Sequence, residues 1–314
     1  MRLVLFGALA ILLGAGLALL GLAQLAFPLL AASGVGAPAT GFRVALAGCI
    51  TDLLLGAVLV WAGIGSVRLR RWAPVVMRFL AWIWLLGGAL GSVLVLAMLD
   101  DLIWLASRGG APMAPEVDLV VRAVLVGGFV VAGILVPLAF LVAYRESATR
   151  PICEIHDPRP GWTDACPPPV LGLCLGLGLA ALLALPMALH PAVPAFGTWV
   201  DGWPGAALTV LGALVAGGLA AAVYRRSPAA WSLTTALLLV AGVSCVWTFQ
   251  VLAPEVFFGY LGYPADAVVH SSPGNGLWRP ALVWGAILLT LLSLGYMASI
   301  RRHFGRRGRL ASQT

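Results

Sequence analysis

The sequence predicts an all-α integral membrane protein, with eight transmembrane helices arranged as two tandem parallel four-helix repeats. Three observations carry that prediction. Of 314 residues, 61% are hydrophobic and 10% charged, and the mean hydropathy is +1.01. A soluble domain carries roughly 25% charged residues, so the solvent for most of this chain must be lipid. Eight apolar stretches then reach the ~20 residues that cross a bilayer as a helix. Finally, the arginines alternate in density from one connection to the next, as an inside–outside topology requires.

The apolar stretches fall at about 3–30, 43–66, 74–99, 119–143, 170–190, 205–223, 230–252 and 280–300. Helices are the expected form, because a lipid-exposed backbone must satisfy its own hydrogen bonds and no barrel-like alternation is present. The first stretch, MRLVLFGALAILLGAGLALLGLAQ, has an alternative reading as a signal peptide, with small residues at Gly21 and Ala23. Its apolar run exceeds the usual 7–15 residues of a signal h-region, which favours a retained span. All 19 basic residues are Arg. With the N-terminus inside, 15 of them (2, 68, 70, 71, 78, 145, 150, 159, 225, 226, 301, 302, 306, 307 and 309) share one side. Only Arg43, Arg108, Arg122 and Arg279 fall on the other. Arg-rich loops stay cytoplasmic, so both termini are expected in the cytoplasm of a bacterial-type inner membrane. That topology also accounts for the net charge of +7, leaving no case for a nucleic-acid partner.

Trp72, Trp104, Trp199, Trp203, Trp231 and Trp278 lie near predicted span ends, where an amphipathic ring prefers the headgroup layer. Trp61, Trp82, Trp84, Trp247 and Trp284 lie deeper and are expected to pack or face lipid. The two halves align with a shift of about 156 residues. Pro38–Gly41 matches Pro194–Gly197, Arg70-Arg71 matches Arg225-Arg226, and Arg122–Val126 matches Arg279–Val283. An even number of spans per half gives copies of the same orientation, as in parallel-repeat transporters. The domain plan is therefore residues 1–146 as the first repeat, 147–169 as a cytoplasmic Pro-rich linker, 170–303 as the second repeat and 304–314 as a basic tail. Small residues at Gly87 and Gly91, and at Gly172 and Gly176, have the spacing that lets helix backbones approach.

Asp52 is the sharpest candidate for chemistry. It falls near the middle of the second span, where an acid usually faces protein or water and marks a proton or cation site. The alternative is a hydrogen-bonded acid held by another helix, with Gln24, Thr248 and Gln250 as the available partners. Its position in the second half falls near Leu208 or Thr209, so that half lacks the acid.

The linker carries a second candidate, a metal site from Cys153, His156, Asp164 and Cys166. Thiolate and imidazole suit zinc, but a single C-x2-H and a lone Cys fall short of paired knuckles. Pro151, Pro158, Pro160 and Pro167–Pro169 suggest instead a stiff, extended connector, and a reducing compartment argues against a Cys153–Cys166 disulfide. No cofactor is otherwise predicted. His156, His190, His270 and His303 fall in loops or at span ends, which removes a transmembrane b-type haem site. No Walker A, G-x-S-x-G, H-E-x-x-H or dinucleotide fingerprint occurs. Asp100, Asp101, Glu116, Asp118, Asp201, Glu255 and Asp266 read as solvated loop charge. Phe257–Pro264, FFGYLGYP, reads as an interfacial segment of the long external loop, and Arg306, Arg307 and Arg309 as an anchor near anionic lipid heads.

Function is expected in one of three classes. A non-catalytic membrane subunit or scaffold leads, because few polar residues lie inside the spans. A small-solute or proton/cation transporter using Asp52 is the first alternative, and a membrane enzyme acting on lipid or quinone the second. Membrane lipids and a membrane-protein partner are the expected contacts.

Overall fold

A computed structural model of the protein describes residues 2–32, 39–97, 99, 103, 114–253, 256 and 278–304. Among them are eight helices long and apolar enough to span a membrane, one for each predicted stretch and with ends within a few residues of those expected. The chain is a multi-pass membrane protein. Its spans pair as antiparallel hairpins: α1 (Arg2–Ala32) with α2 (Ala39–Val67), α3 (Ala73–Ala97) with α4 (Pro115–Val130) and its continuation α5 (Val136–Ala143). A short helix α6 (Glu146–His156) follows. Then α7 (Pro168–Met187) pairs with α8 (Gly202–Tyr224), and α9 (Pro228–Val251) with α10 (Trp278–Ile300). The halves meet where α2 and α3 pack against α7, and where α10 packs against α3 and reaches α7 through Tyr296.

The α1–α2 hairpin is held backbone to backbone. Gly7, Gly14 and Gly21 of α1 face Gly63, Gly56 and Cys49 of α2, each set seven residues apart. A strict heptad spacing keeps one seam aligned along a shallow left-handed crossing. A Cβ at Gly14 would lie 2.6 Å from Gly56 O, and one at Gly56 2.5 Å from Gly14 O. Lipid tails are as apolar as leucine, so close van der Waals approach has to replace the hydrophobic effect between such helices.

The fourth span is broken by a wide turn, Val131–Leu135, in which Val136 N donates to Val131 O. Pro137 has no N–H for the carbonyl four residues back, and the extra residue in the turn accommodates that loss. Here α3 crosses, with Gly88 against Gly133. This corrects the expected Gly87/Gly91 packing pair: a Cβ at Gly87 would meet nothing within 4 Å among the described residues, and one at Gly91 only Phe129 at 3.9 Å. Gly172 and Gly176 do face neighbours, but as room for side chains, Tyr296 of α10 and Phe79 of α3.

Two turns at the Arg-rich end share one conformation. After α2, Leu69 N donates to Ser66 O and Arg70 N to Gly65 O; after α8, Arg226 N donates to Val223 O and Ser227 N to Ala222 O. Both are Schellman closures, with the left-handed residue supplied by Leu69 (φ 52°) and Arg226 (φ 58°). At the opposite end the match of Pro38–Gly41 with Pro194–Gly197 does not carry into structure. Ala39 and Thr40 begin α2, whereas Ala195 ends β1 (Val193–Ala195) of a small hairpin with β2 (Thr198–Val200). Its two-residue loop, Phe196-Gly197, has φ of 46° and 95°, the positive pair that matches strand twist. Ser244 and Thr248 of α9 pin that loop by accepting from Phe196 N and Gly197 N.

Two buried clusters form the core, both towards the Arg-rich end. One gathers Leu3, Met77, Phe140, Tyr144 and Cys153; the other Cys166, Val170, Leu171, Leu219 and Val223. Four of the five deeper tryptophans face outward, Trp61, Trp82, Trp247 and Trp284 each being about half exposed or more, as lipid contact requires, while Trp84 is half-buried near Phe140. The segment Phe257–Pro264, the tail arginines Arg306, Arg307 and Arg309, and Trp104, Arg108, Asp100, Asp101, Glu255, Asp266 and His270 lie outside the described residues.

Candidate functional site

Asp52 is paired. Gln24 Nε2 of α1 donates to Asp52 Oδ2 at 2.8 Å, so of the three partners named from sequence it is Gln24 that meets the acid. The glycine seam makes the room. A Cβ at Gly48 would lie 2.5 Å from Gln24 Oε1, and one at Gly21 would lie 3.0 Å from Asp52 Cβ. Thr248 is engaged elsewhere, on the β1–β2 loop.

Most of the other hydroxyls described inside the spans turn back on their own helices; Ser244 instead donates to Pro194 O, and Thr234 Oγ1, buried in α9, has no hydrogen-bond partner among the described residues. Thr51, Ser66, Ser92, Thr209, Thr235 and Thr290 each donate to the carbonyl four residues earlier, at 2.7–3.0 Å. Such back-bonding satisfies the hydroxyl locally and leaves it uncommitted to any neighbouring helix. Thr209, beside Leu208 and near the position that the sequence alignment sets against Asp52, is one of these.

The linker is built differently from its sequence expectation. Residues 146–156 form the amphipathic helix α6 despite Pro151, and 161–166 close in turns, so it is not an extended connector. It joins the halves through matched contacts. Cys153 is buried in the first core cluster and Cys166 in the second. Free cysteine behaves in such places as a small hydrophobe. From the turn after α2, Arg71 donates to Pro158 O at 3.2 Å and pairs with Glu154 (3.4 Å) and Asp164 (3.5 Å), while Arg70 pairs with Asp157 at 3.7 Å. From the turn after α8, Arg226 donates to Ala165 O at 2.7 Å, and Tyr224 Oη to Trp162 O at 2.9 Å. Tyr296 of α10 donates to Pro169 O. Arg71 and Arg226 are the arginines that the repeat alignment placed opposite each other.

Of the four candidate zinc ligands, Cys153, Asp164 and Cys166 line one cavity, but they do not converge. Among the described residues no group of three His, Cys, Asp or Glu is placed to hold a metal ion. Asp164 is occupied by Arg71 and by Gly161 N (2.8 Å), and His156 Nδ1 lies 2.9 Å from Ile152 O in its own helix. Burial, with Asp157 adding to it, pushes the Cys153 thiol above the ordinary range and outweighs the opposing effect of Arg71. A thiol so placed is a poor metal ligand and a poor nucleophile at neutral pH.

That cavity measures about 140 Å³ and sits between α3, α6 and the start of α7. Arg71, Arg78 and Arg150 bring three guanidinium groups to it, Glu154 and Asp164 two carboxylates. The sequence pointed to part of its lining through Cys153, Asp164 and Cys166, but not to Arg71, Pro74, Val75 and Arg78, which come from a separate stretch of chain. Two residues of its lining, Thr163 and Tyr144, hold buried hydroxyls that have no hydrogen-bond partner among the described residues. Ser66 is near enough to Tyr144 to influence its ionisation, but no hydrogen bond of ordinary geometry joins them, and Ser66 Oγ donates to Ala62 O. Compared with protein families, curated proteins and solved structures, the chain matches none.

Proposed function

We propose that this chain is a non-catalytic membrane scaffold or subunit of a cytoplasmic membrane, with both termini in the cytoplasm, whose rigid unit is the pair of helix bundles locked by the linker. One observation carries the reading: the polar groups described within the spans are mostly satisfied locally, with Thr234 Oγ1 of α9 the exception. Six hydroxyls bond to their own helices, and Gln24 bonds to Asp52. A solute path needs several polar groups converging on one cavity. The placement of 15 Arg at one end supports the orientation. The paired Schellman turns, and glycine crossings at Gly88/Gly133 and Gly242/Thr290, support two parallel repeats. Membrane lipids and a membrane-protein partner are the contacts such a scaffold would make.

A second reading rests on the Gln24–Asp52 pair, which a proton or cation transporter would use as its ionisable site. Native mass spectrometry of the protein extracted gently from its membrane separates the two. The scaffold reading expects a stoichiometric protein partner, retained in Asp52→Asn. A partner-free chain that carries proton flux in vesicles, lost in Asp52→Asn, would overturn it.

A further inference from the structure

We infer that the cavity between α3, α6 and the start of α7 is a binding site for a phosphate group, of the kind a glycerophospholipid phosphodiester presents. The inference uses the membrane placement of the chain and stands apart from the choice between scaffold and transporter.

Four observations meet there. Among the described residues the lining carries three guanidinium groups and two carboxylates. A site rich in guanidinium groups suits an anion better than a metal cation. Arginine presents a planar donor fork that matches phosphate oxygens, and Arg71 is already oriented, being largely buried and held by Glu154 and Asp164. Thr163, 6% exposed, and Tyr144, 1% exposed, both line the cavity, and each holds a buried hydroxyl with no hydrogen-bond partner among the described residues. An unpaired buried polar group is costly, and an acceptor entering the cavity would remove that cost.

Depth supports a headgroup. Pro74, Val75 and Arg78 belong to the first two turns of α3, and Pro168 opens α7. The cavity therefore sits where two spans enter the membrane, at the level of lipid phosphates. Basic pockets between spans at this level are where anionic headgroups bind. Outside it, α6 turns Ile152 and Ile155 outward, 44% and 78% exposed, as a helix lying on the membrane surface would. At about 140 Å³, against roughly 30 Å³ for a water in the liquid, the cavity has room for a phosphate group.

The test is native mass spectrometry of the full chain reconstituted in nanodiscs of mixed phosphatidylglycerol and phosphatidylcholine, with a parallel thermal-shift titration of inorganic phosphate in detergent. The expected result is one phosphatidylglycerol retained per chain in preference to phosphatidylcholine. Thr163→Val removes a hydroxyl with no partner among the described residues, so it should fold normally and weaken retention about tenfold. Arg78→Gln should weaken it similarly. A thermal shift with inorganic phosphate, weakened by the same two variants and without lipid preference, would keep the phosphate site and assign it to a soluble ligand. Equal retention of both lipids with no phosphate shift would overturn the proposal. So would a Thr163→Val protein that is merely stabilised, its lipid retention and phosphate response unchanged.

Discussion

The α1–α2 seam and the linker joint hold the protein together by opposite means. The seam works by leaving side chains out: Gly7, Gly14, Gly56 and Gly63 let two backbones touch. The joint works by putting side chains in: Arg70 and Arg71 on linker acids, Arg226 on a linker carbonyl, and one cysteine buried in each core. The contrast follows from the solvent. In hydrocarbon, apolar groups gain nothing by leaving lipid for protein, so closeness of fit is the available source of cohesion. At the wet end, charge and burial regain their usual value.

The contrast breaks first at the seam. Gly14→Leu has no room beside Gly56 O and should destabilise the protein by about 3 kcal/mol, the upper end of overpacking. The control is Gly212→Leu on α8, where a Cβ meets nothing within 4 Å among the described residues. It should leave stability nearly unchanged. Thermal unfolding followed by tryptophan fluorescence reads both, and equal effects at the two positions would refute the seam.

At the joint, Arg71→Ala removes one guanidinium from Glu154, Asp164 and Pro158 O, at a cost of about 2 kcal/mol. Its carboxylate partners are substantially exposed, so much of that cost should fade in high salt. The destabilisation of Gly14→Leu should not. Loss of the salt dependence, rather than its size, would show that Arg71 acts by packing alone.

The joint also makes a pH prediction. Cys153 is held neutral above the ordinary thiol range, so at neutral pH the folded and unfolded chains both keep the proton and stability is flat. Above that range the unfolded thiol ionises first, the folded state binds more protons, and stability falls as pH rises. Alkylation of Cys153 at pH 8.5 should be at least about tenfold slower than in the denatured chain, since only the thiolate reacts. Alkylation as fast as in denaturant would mean that the cysteine does not plug the first core.

Legibility divided along the same line. Hydropathy counts were enough to find the eight spans seen among the described residues, because length and composition are one-dimensional quantities. Asp52 was visible because polar residues inside a span are few, and the same scarcity held its candidate partners to Gln24, Thr248 and Gln250, among which only the fold could choose. The seam was not, since glycine scores as ordinary apolar content and the lipid-facing and protein-facing sides of α1 are equally hydrophobic. The G-x-x-x-G rule accordingly led to Gly87 where Gly88 makes the crossing. Helix α6 was hidden by Pro151, which reads as a breaker until tertiary contacts through Thr149 and Cys153 repay its lost hydrogen bond. The metal reading of Cys153 and Cys166 failed to foresee that each thiol belongs to a different core, a matter of three-dimensional placement that spacing cannot encode.

A gentler probe of the seam is the polar pair it shelters. Asp52→Leu leaves Gln24 without its acceptor and should cost about 1 kcal/mol, in the range measured for hydrogen bonds between helices in lipid. Asp52→Asn keeps an acceptor for Gln24 Nε2 and should cost under about half of that. Gly48→Ala attacks the pair from the other side, since its methyl would displace Gln24 Oε1 without touching the acid. If Gly48→Ala and Asp52→Leu are together no worse than either alone, the glycine and the acid serve one contact.

The smallest effect is expected at Thr209, near the position where the second half lacks the acid. Thr209 Oγ1 donates to Gly205 O at 2.8 Å, within its own helix, and back-bonding of this kind contributes little. Thr209→Val keeps the shape and the β-branch, leaves Gly205 O with its ordinary helical acceptance, and should shift stability by less than about 0.5 kcal/mol. The comparison with Asp52→Leu is then between a polar group that ties two helices and one that ties nothing. A cost above about 1 kcal/mol for Thr209→Val would mean that its hydroxyl reaches beyond α8, and the second half would hold a polar contact of its own where the first holds Gln24 and Asp52.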